Sequence, residues 1–239
     1  MHSQIAEELK MKYHPVAILF TDDKPQEARQ LREGQWGCAM ALYANVIRKG
    51  VTAAFDKKTY GCVGAGVGLC LGDTYKPNRE FMENLLCNEE AYLKTRELVR
   101  DFMDSFSYVD IPSQYVIFKP LEQIDPEEER PELVSFPVNA DQLSALAALI
   151  NFRRSGNDHV AAPFGAGCQS VCVLPYNESK KKMPKAVIGN LDLSSRKVLP
   201  AEILTFTVPF QTFLEMEEDV PVSFLRRETW GKIVKRIDG

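Results

Sequence analysis

The apolar residues of this chain recur with distinct periods, and each period marks a set of elements. Ile5, Leu9 and Tyr13 fall at helical spacing with Glu7, Glu8, Lys10 and Lys12 between them. That pattern predicts an amphipathic helix, stopped by His14-Pro15. Val16-Ala17-Ile18-Leu19-Phe20 is apolar without a break, as in a strand buried on both faces. Residues 21–25 are turn chemistry leading into a brief polar helix. Residues 39–48 are built from strong helix formers and small residues closed by Lys49-Gly50, and 51–55 read as the next strand. Apolar positions at Phe81, Leu85, Tyr92, Val99, Phe102 and Phe106 predict a helical pair over 78–86 and 89–106.

Further on, 115–118 and 133–138 read as strands on either side of a charged, proline-bounded loop at 125–131. Asn139 offers an N-cap for a helix whose stripe is Leu143, Leu146, Ala147 and Ile150. Residues 177–184, with three consecutive lysines, read as a solvated loop, 186–188 and 203–208 as strands, and 210–217 and 229–237 as short helices. Strands and helices alternate without a strict βαβ rhythm. The expected fold class is therefore α+β or mixed α/β, a single domain over 1–239 with a mixed sheet flanked by helices. A strand, a helix and a small-residue cysteine turn recur on both sides of the acidic loop, which suggests two loosely similar halves, 1–130 and 131–239.

With 45% hydrophobic residues the chain can bury a core without external staples. The 29 Lys and Arg against 33 Asp and Glu give a net charge of −4, and no basic face is visible, so nucleic acid is not an expected partner. Residues 1–10 lack the basic and apolar regions of a leader, and no run approaches eighteen apolar residues. The expectation is a soluble cytoplasmic protein without a membrane partner. The oligomeric state is left open.

Candidate chemistry sits in residues 61–72, Gly-Cys-Val-Gly-Ala-Gly-Val-Gly-Leu-Cys-Leu-Gly, where five glycines surround two cysteines. Gly64, Gly66 and Gly68 are the candidate cofactor-binding residues. A nucleotide loop is disfavoured, because Asp73-Thr74-Tyr75-Lys76-Pro77 arrives where a phosphate-binding helix should run, and no Gly-Lys-Ser or Gly-Lys-Thr occurs. A second such stretch spans 161–172. Cys38, Cys62 and Cys168 each follow a glycine directly, so three thiols are offered from small-residue turns. They are the candidate ligands of an iron–sulfur cluster or zinc, with Cys70 or Cys172 as a fourth. The absence of any Cys-x2-Cys weighs against this, and an isolated cysteine is more often a small buried hydrophobe. Two other readings stay open. Cys38, at the first turn of a helix, could be a nucleophile with His159 as its base. Or the glycine-rich loop lines the pocket of a small-molecule binding protein in which the cysteines are spectators. The expected partner is a small molecule or a redox protein.

These same residues resemble a known family. Pro15-Val16-Ala17, Gly37-Cys38 before an alanine-rich helix, Cys62-Val63-Gly64-Ala65-Gly66 with Leu69 and Gly72, and Gly165-Ala166-Gly167-Cys168 together resemble the uncharacterised prokaryotic family called domain of unknown function 169. The resemblance runs in order over most of the chain. It implies a single-domain cytoplasmic protein of anaerobes with cysteines matching Cys38, Cys62 and Cys168, and carries no activity over. Members often show paired glycines after the second cysteine, where this chain has Gly64-Ala65-Gly66.

Overall fold

The unbroken apolar run after Pro15 becomes a central strand, β1 (Val16–Thr21). In the computed structural model, which describes residues 1–237, β1 is hydrogen-bonded on both edges. On one side lies β3 (Tyr115–Pro120) and on the other β4 (Leu133–Val138), both antiparallel. β2 (Ala53–Phe55) pairs with β3 at one end of the sheet. β7 (Leu204–Pro209), β6 (Ala186–Gly189) and the short β5 (Val160–Ala161) continue it at the other, giving the order β2-β3-β1-β4-β7-β6-β5. Among the strands of the described residues β5 and β6 are the pair that runs parallel, so the sheet is mixed, as expected.

Because side chains alternate across a strand, β1 feeds two cores. Val16 and Ile18 enter one, with Phe118 and the buried face of helix α2 (Ala39–Lys49); Ala17 and Leu19 enter the other, with Ile117 and helix α6 (Ala140–Asn151). A fully buried ring such as Phe118 contributes on the order of 1.5–3 kcal/mol. On the α2 face the hydroxyl of Ser135 is the one polar intrusion of β4, and it is met by Tyr43 Oη at 3.0 Å and Thr207 Oγ1 at 2.9 Å. The α6 face is completed by α1 (Gln4–Glu8), α9 (Phe210–Asp219) and α10 (Glu228–Ile237), whose Trp230 donates its indole N–H to Glu8 O at 2.9 Å. α6 begins with the anticipated Asn139 cap, whose side chain accepts from Gln142 N while Gln142 bonds back.

Several local expectations are corrected. No helix forms after Pro25, because Arg29 is drawn into the sheet edge: its N–H donates to Thr52 O at 2.9 Å, and its carbonyl accepts from Ala54 N at 2.8 Å. Residues 177–179 are helical, as the end of α7 (Leu174–Ser179). α7 is entered through a π-helical stretch, Gln169–Val173, whose widened turn precedes Pro175, a residue with no N–H to give. The helical pair over 78–106 is interrupted. α4 (Arg79–Asn84) runs into a π-helical Leu85–Glu89, the chain turns at Ala91 with φ of 52°, and α5 (Arg96–Asp104) restarts at Thr95, whose side chain accepts from Leu98 N.

Candidate functional site

Two of the singled-out cysteines open helices. Cys38 is the N-cap of α2, and Cys62 the N-cap of α3 (Val63–Gly68); both have extended backbones, and neither sulfur makes a cap bond. The loops that carry them touch at Gly61, which has φ of 91° and would drive any Cβ into the carbonyl of Gly37. Glycine there brings Cys38 and Cys62 to one wall.

α3 itself departs from expectation. The glycine-rich stretch is not an open turn but a buried helix, and its glycines permit close packing. A Cβ on Gly66 would collide with Thr74, whose hydroxyl donates to Val63 O at 2.6 Å and accepts from Val67 N at 3.1 Å. A Cβ on Gly68 would lie 2.7 Å from Cys168 Sγ and 2.9 Å from Gln169 N. Gly66 and Gly68 thus face protein. Gly64 differs: a Cβ there meets Tyr75 Oη only at 3.9 Å and Ala166 Cβ at 4.0 Å, because it borders a cavity.

That cavity holds about 310 Å³. Cys38, Cys62, Val63 and Gly64 form one wall. Opposite stand Phe81, Leu85, Leu86 and Phe102, carried by α4, the π-helical turn and α5. This flap rests on α3 through a small core of its own, in which Met82, Val99 and Met103 meet Val63, Val67 and Tyr75. The rim is aromatic and wet: Trp36 is 64% exposed, Phe164 47% and Phe81 42%. Trp36 meets Phe81 edge-on at 6.0 Å, and Phe164 meets Tyr92 at 5.9 Å. Two other clefts, of 480 and 710 Å³, carry lysines and glutamates on their walls.

Polar groups are few inside. Gln169, fully buried, donates to Tyr75 Oη at 2.7 Å and accepts from Ala166 N at 2.8 Å, so it is satisfied. Burial, with Cys168 and Cys62 nearby, pushes the Tyr75 hydroxyl far up, and it stays a neutral phenol. Asp192, Glu90 and Tyr92 also line the space.

Cys168 is buried beside this wall without lining the cavity. Its thiol donates to Gly64 O at 3.5 Å, and burial raises its pKa well above the ordinary range, with Cys62 and Cys38 adding to the rise. Burial likewise raises Cys62, with Cys38 as a further cause. The three cysteines thus lie around the start of α3, Cys168 through its bond to Gly64 and Cys38 through the contact of Gly37 with Gly61, but they are not a coordination shell: among the described residues no three of His, Cys, Asp and Glu are placed to hold a metal ion. The physical reason is the tight seat of Cys168 against Gly68, which turns its sulfur to a backbone carbonyl. Cys70 and Cys172, the fourth-ligand candidates, face each other in the core with sulfurs 3.7 Å apart. His159 is buried, its Nε2 2.9 Å from Ser155 O, and does not line the cavity, so it is not placed as a base for Cys38.

Sequence reasoning missed the aromatic wall and Asp192. Phe81 and Phe102 carry an ordinary helical stripe, and Asp192 an ordinary cap signal; the one signal that could have marked the wall is a large apolar residue next to glycine in a loop, at Trp36 and Phe164.

Among the described residues no helix is long and apolar enough to cross a membrane. Neither the curated proteins nor the solved structures compared with the chain include a match. A family model does match, over residues 4–219 of the 239, described as DUF169, uncharacterised ArCR. With nearly its whole length so matched, the chain belongs to the family called domain of unknown function 169.

Proposed function

We propose that this protein binds a small, mainly apolar organic molecule in the cavity between α3 and the α4–α5 flap. The observation that carries the reading is an aromatic-walled, partly open space of about 310 Å³ whose rim leaves Trp36, Phe81 and Phe164 in water. Exposed aromatic residues gathered at the mouth of one cavity mark a ligand site, whereas singly scattered ones do not. The thiols of Cys38 and Cys62 lie on the wall where a bound molecule would touch them.

Gly64 supplies the test. A Cβ at Gly64 meets only side-chain atoms, at 3.9 and 4.0 Å, so Gly64→Leu can be seated at the cavity wall without its Cβ striking backbone. Calorimetric titration with naphthylmethanol, a neutral aromatic alcohol, should show binding to the native chain and none to Gly64→Leu, at equal thermal stability. No binding to the native chain, or undiminished binding to the variant, would overturn the reading.

A second reading, a metal or iron–sulfur group on Cys38, Cys62 and Cys168, draws on the placement of the three residues around the start of α3. It needs Cys168 to leave Gly64 O and turn past α3, and so ranks below the first. Iron, sulfide and zinc analysis of protein prepared without oxygen tests it; a stoichiometric metal lost on Cys62→Ser would restore it.

A further inference from the structure

Asp192 is 2% exposed, lines the cavity, and is only half used by the protein. Its Oδ1 caps the short helix α8 (Leu193–Arg196), accepting from Ser195 N at 3.0 Å and from the Ser194 hydroxyl. Its Oδ2 is buried with no hydrogen-bond partner. Asparagine or serine would cap that helix equally well, so capping does not account for the second oxygen. A buried carboxylate oxygen without a partner is a costly group to keep. The hydroxyl of Tyr92, which also lines the cavity, makes no well-formed hydrogen bond, although Glu90 and the backbone of Ser194 lie close enough to influence it. Glu90 adds a second carboxylate to the lining, and no Lys, Arg or His is among the lining residues. Aromatic faces at Trp36, Phe81, Phe102 and Phe164 surround the rest, and such faces attract cations.

Resting on the reading of the cavity as a small-molecule site, we propose that its ligand class is an organic amine: an apolar body carrying a protonated, hydrogen-bond-donating nitrogen. Neither Asp192 Oδ2 nor the Tyr92 hydroxyl oxygen is open to the cavity as it stands, so a shift of the lining side chains accompanies binding: the ammonium group then donates to both, while the apolar body lies against the aromatic wall. Glu90 contributes long-range attraction. The same arrangement disfavours anionic ligands, since these would meet two carboxyl groups and no Lys, Arg or His among the lining residues.

Three probes that share one aromatic body decide it: naphthylmethylammonium, naphthylmethanol and naphthoate, titrated by calorimetry into the intact native chain and into Asp192→Asn. The variant keeps the Oδ1 cap and exchanges only the unpartnered acceptor for an amide. On the native chain the ammonium probe is expected to bind about tenfold or more tighter than the alcohol, in line with one charge-assisted hydrogen bond, and naphthoate is expected not to bind. Asp192→Asn should lose most of that preference while still binding the alcohol. Tyr92→Phe should lose a smaller part.

Equal or weaker binding of the ammonium probe by the native chain overturns the amine assignment and leaves the cavity reading standing. Preference retained in Asp192→Asn overturns the role given to that carboxylate. Failure of both the ammonium and the alcohol probe to bind the native chain removes the cavity reading itself. The native-chain comparison does not depend on any variant folding.

Discussion

Gly68 and Gly231 show how differently one residue type is used. Gly68 has no room for a side chain, with Cys168 Sγ and Gln169 N both under 3 Å from where a Cβ would sit; Gly231, inside α10, has nothing within 4 Å. Gly68→Ala is expected to destabilise by about 1–3 kcal/mol through overpacking, and Gly231→Ala to stabilise by about 0.5–1 kcal/mol through helix propensity. Urea unfolding of both variants checks the pair; an unchanged midpoint for Gly68→Ala would mean that α3 is not packed as tightly as described. The thiols separate in the same way. Cys38 and Cys62 line the cavity, whereas Cys70, Cys168 and Cys172 are buried. Iodoacetamide is therefore expected to reach the first two, and also the half-buried Cys87 of the flap, and to spare Cys70, Cys168 and Cys172, as read by peptide mass spectrometry. Because burial raises the Cys62 pKa, less of it is thiolate at neutral pH than for an ordinary thiol. Its labelling rate should keep climbing above the pH at which an ordinary cysteine has levelled off. Saturating naphthylmethanol should slow labelling at Cys38 and Cys62.

At the scale of elements, the α4–α5 flap is the part free to answer a ligand. It packs on α3 through a core separate from the two that hold the sheet, and its helices are clipped together by Arg100, whose Nε and Nη2 donate to Glu83 at 2.8 and 2.9 Å. A unit held by few buried contacts opens below the global unfolding free energy. Amide exchange over 79–104 is expected to be faster than in β1, β3 and β4. Glu83→Gln should speed it further with little change in the overall melting temperature, and naphthylmethanol should slow it. Uniform exchange across flap and sheet would show that the flap has no opening of its own. The apolar stripe of this region was legible at Phe81, Leu85, Val99 and Phe102. The π-helical turn and the positive φ at Ala91 were not, since both are set by how the flap must bend to cover α3.

Over the whole molecule, β1 joins the two parts of the chain that the acidic loop separates in sequence, because its two partners are β3 and β4. Residues 1–130 made alone would leave β1 with a bare edge and Ala17, Leu19 and Ile117 without most of their core. That fragment is expected to give no cooperative melting transition by circular dichroism, whereas the full chain melts in one; a cooperative fragment would show that the halves are independent. Sequence alone determined which segments are strands and helices wherever period and caps agree, as at β1, α2 and α6, because those signals are local and few residues suffice to set them. It also located the cysteine-bearing loops that meet at the site. The tertiary structure alone decided the strand order, the burial of the glycine-rich helix and the seating of Cys168 away from the cavity, since each depends on contacts between residues far apart in the chain. It alone showed the aromatic cavity too, for periodicity reports which face of a helix is apolar and is silent on whether anything fills the space that face looks into.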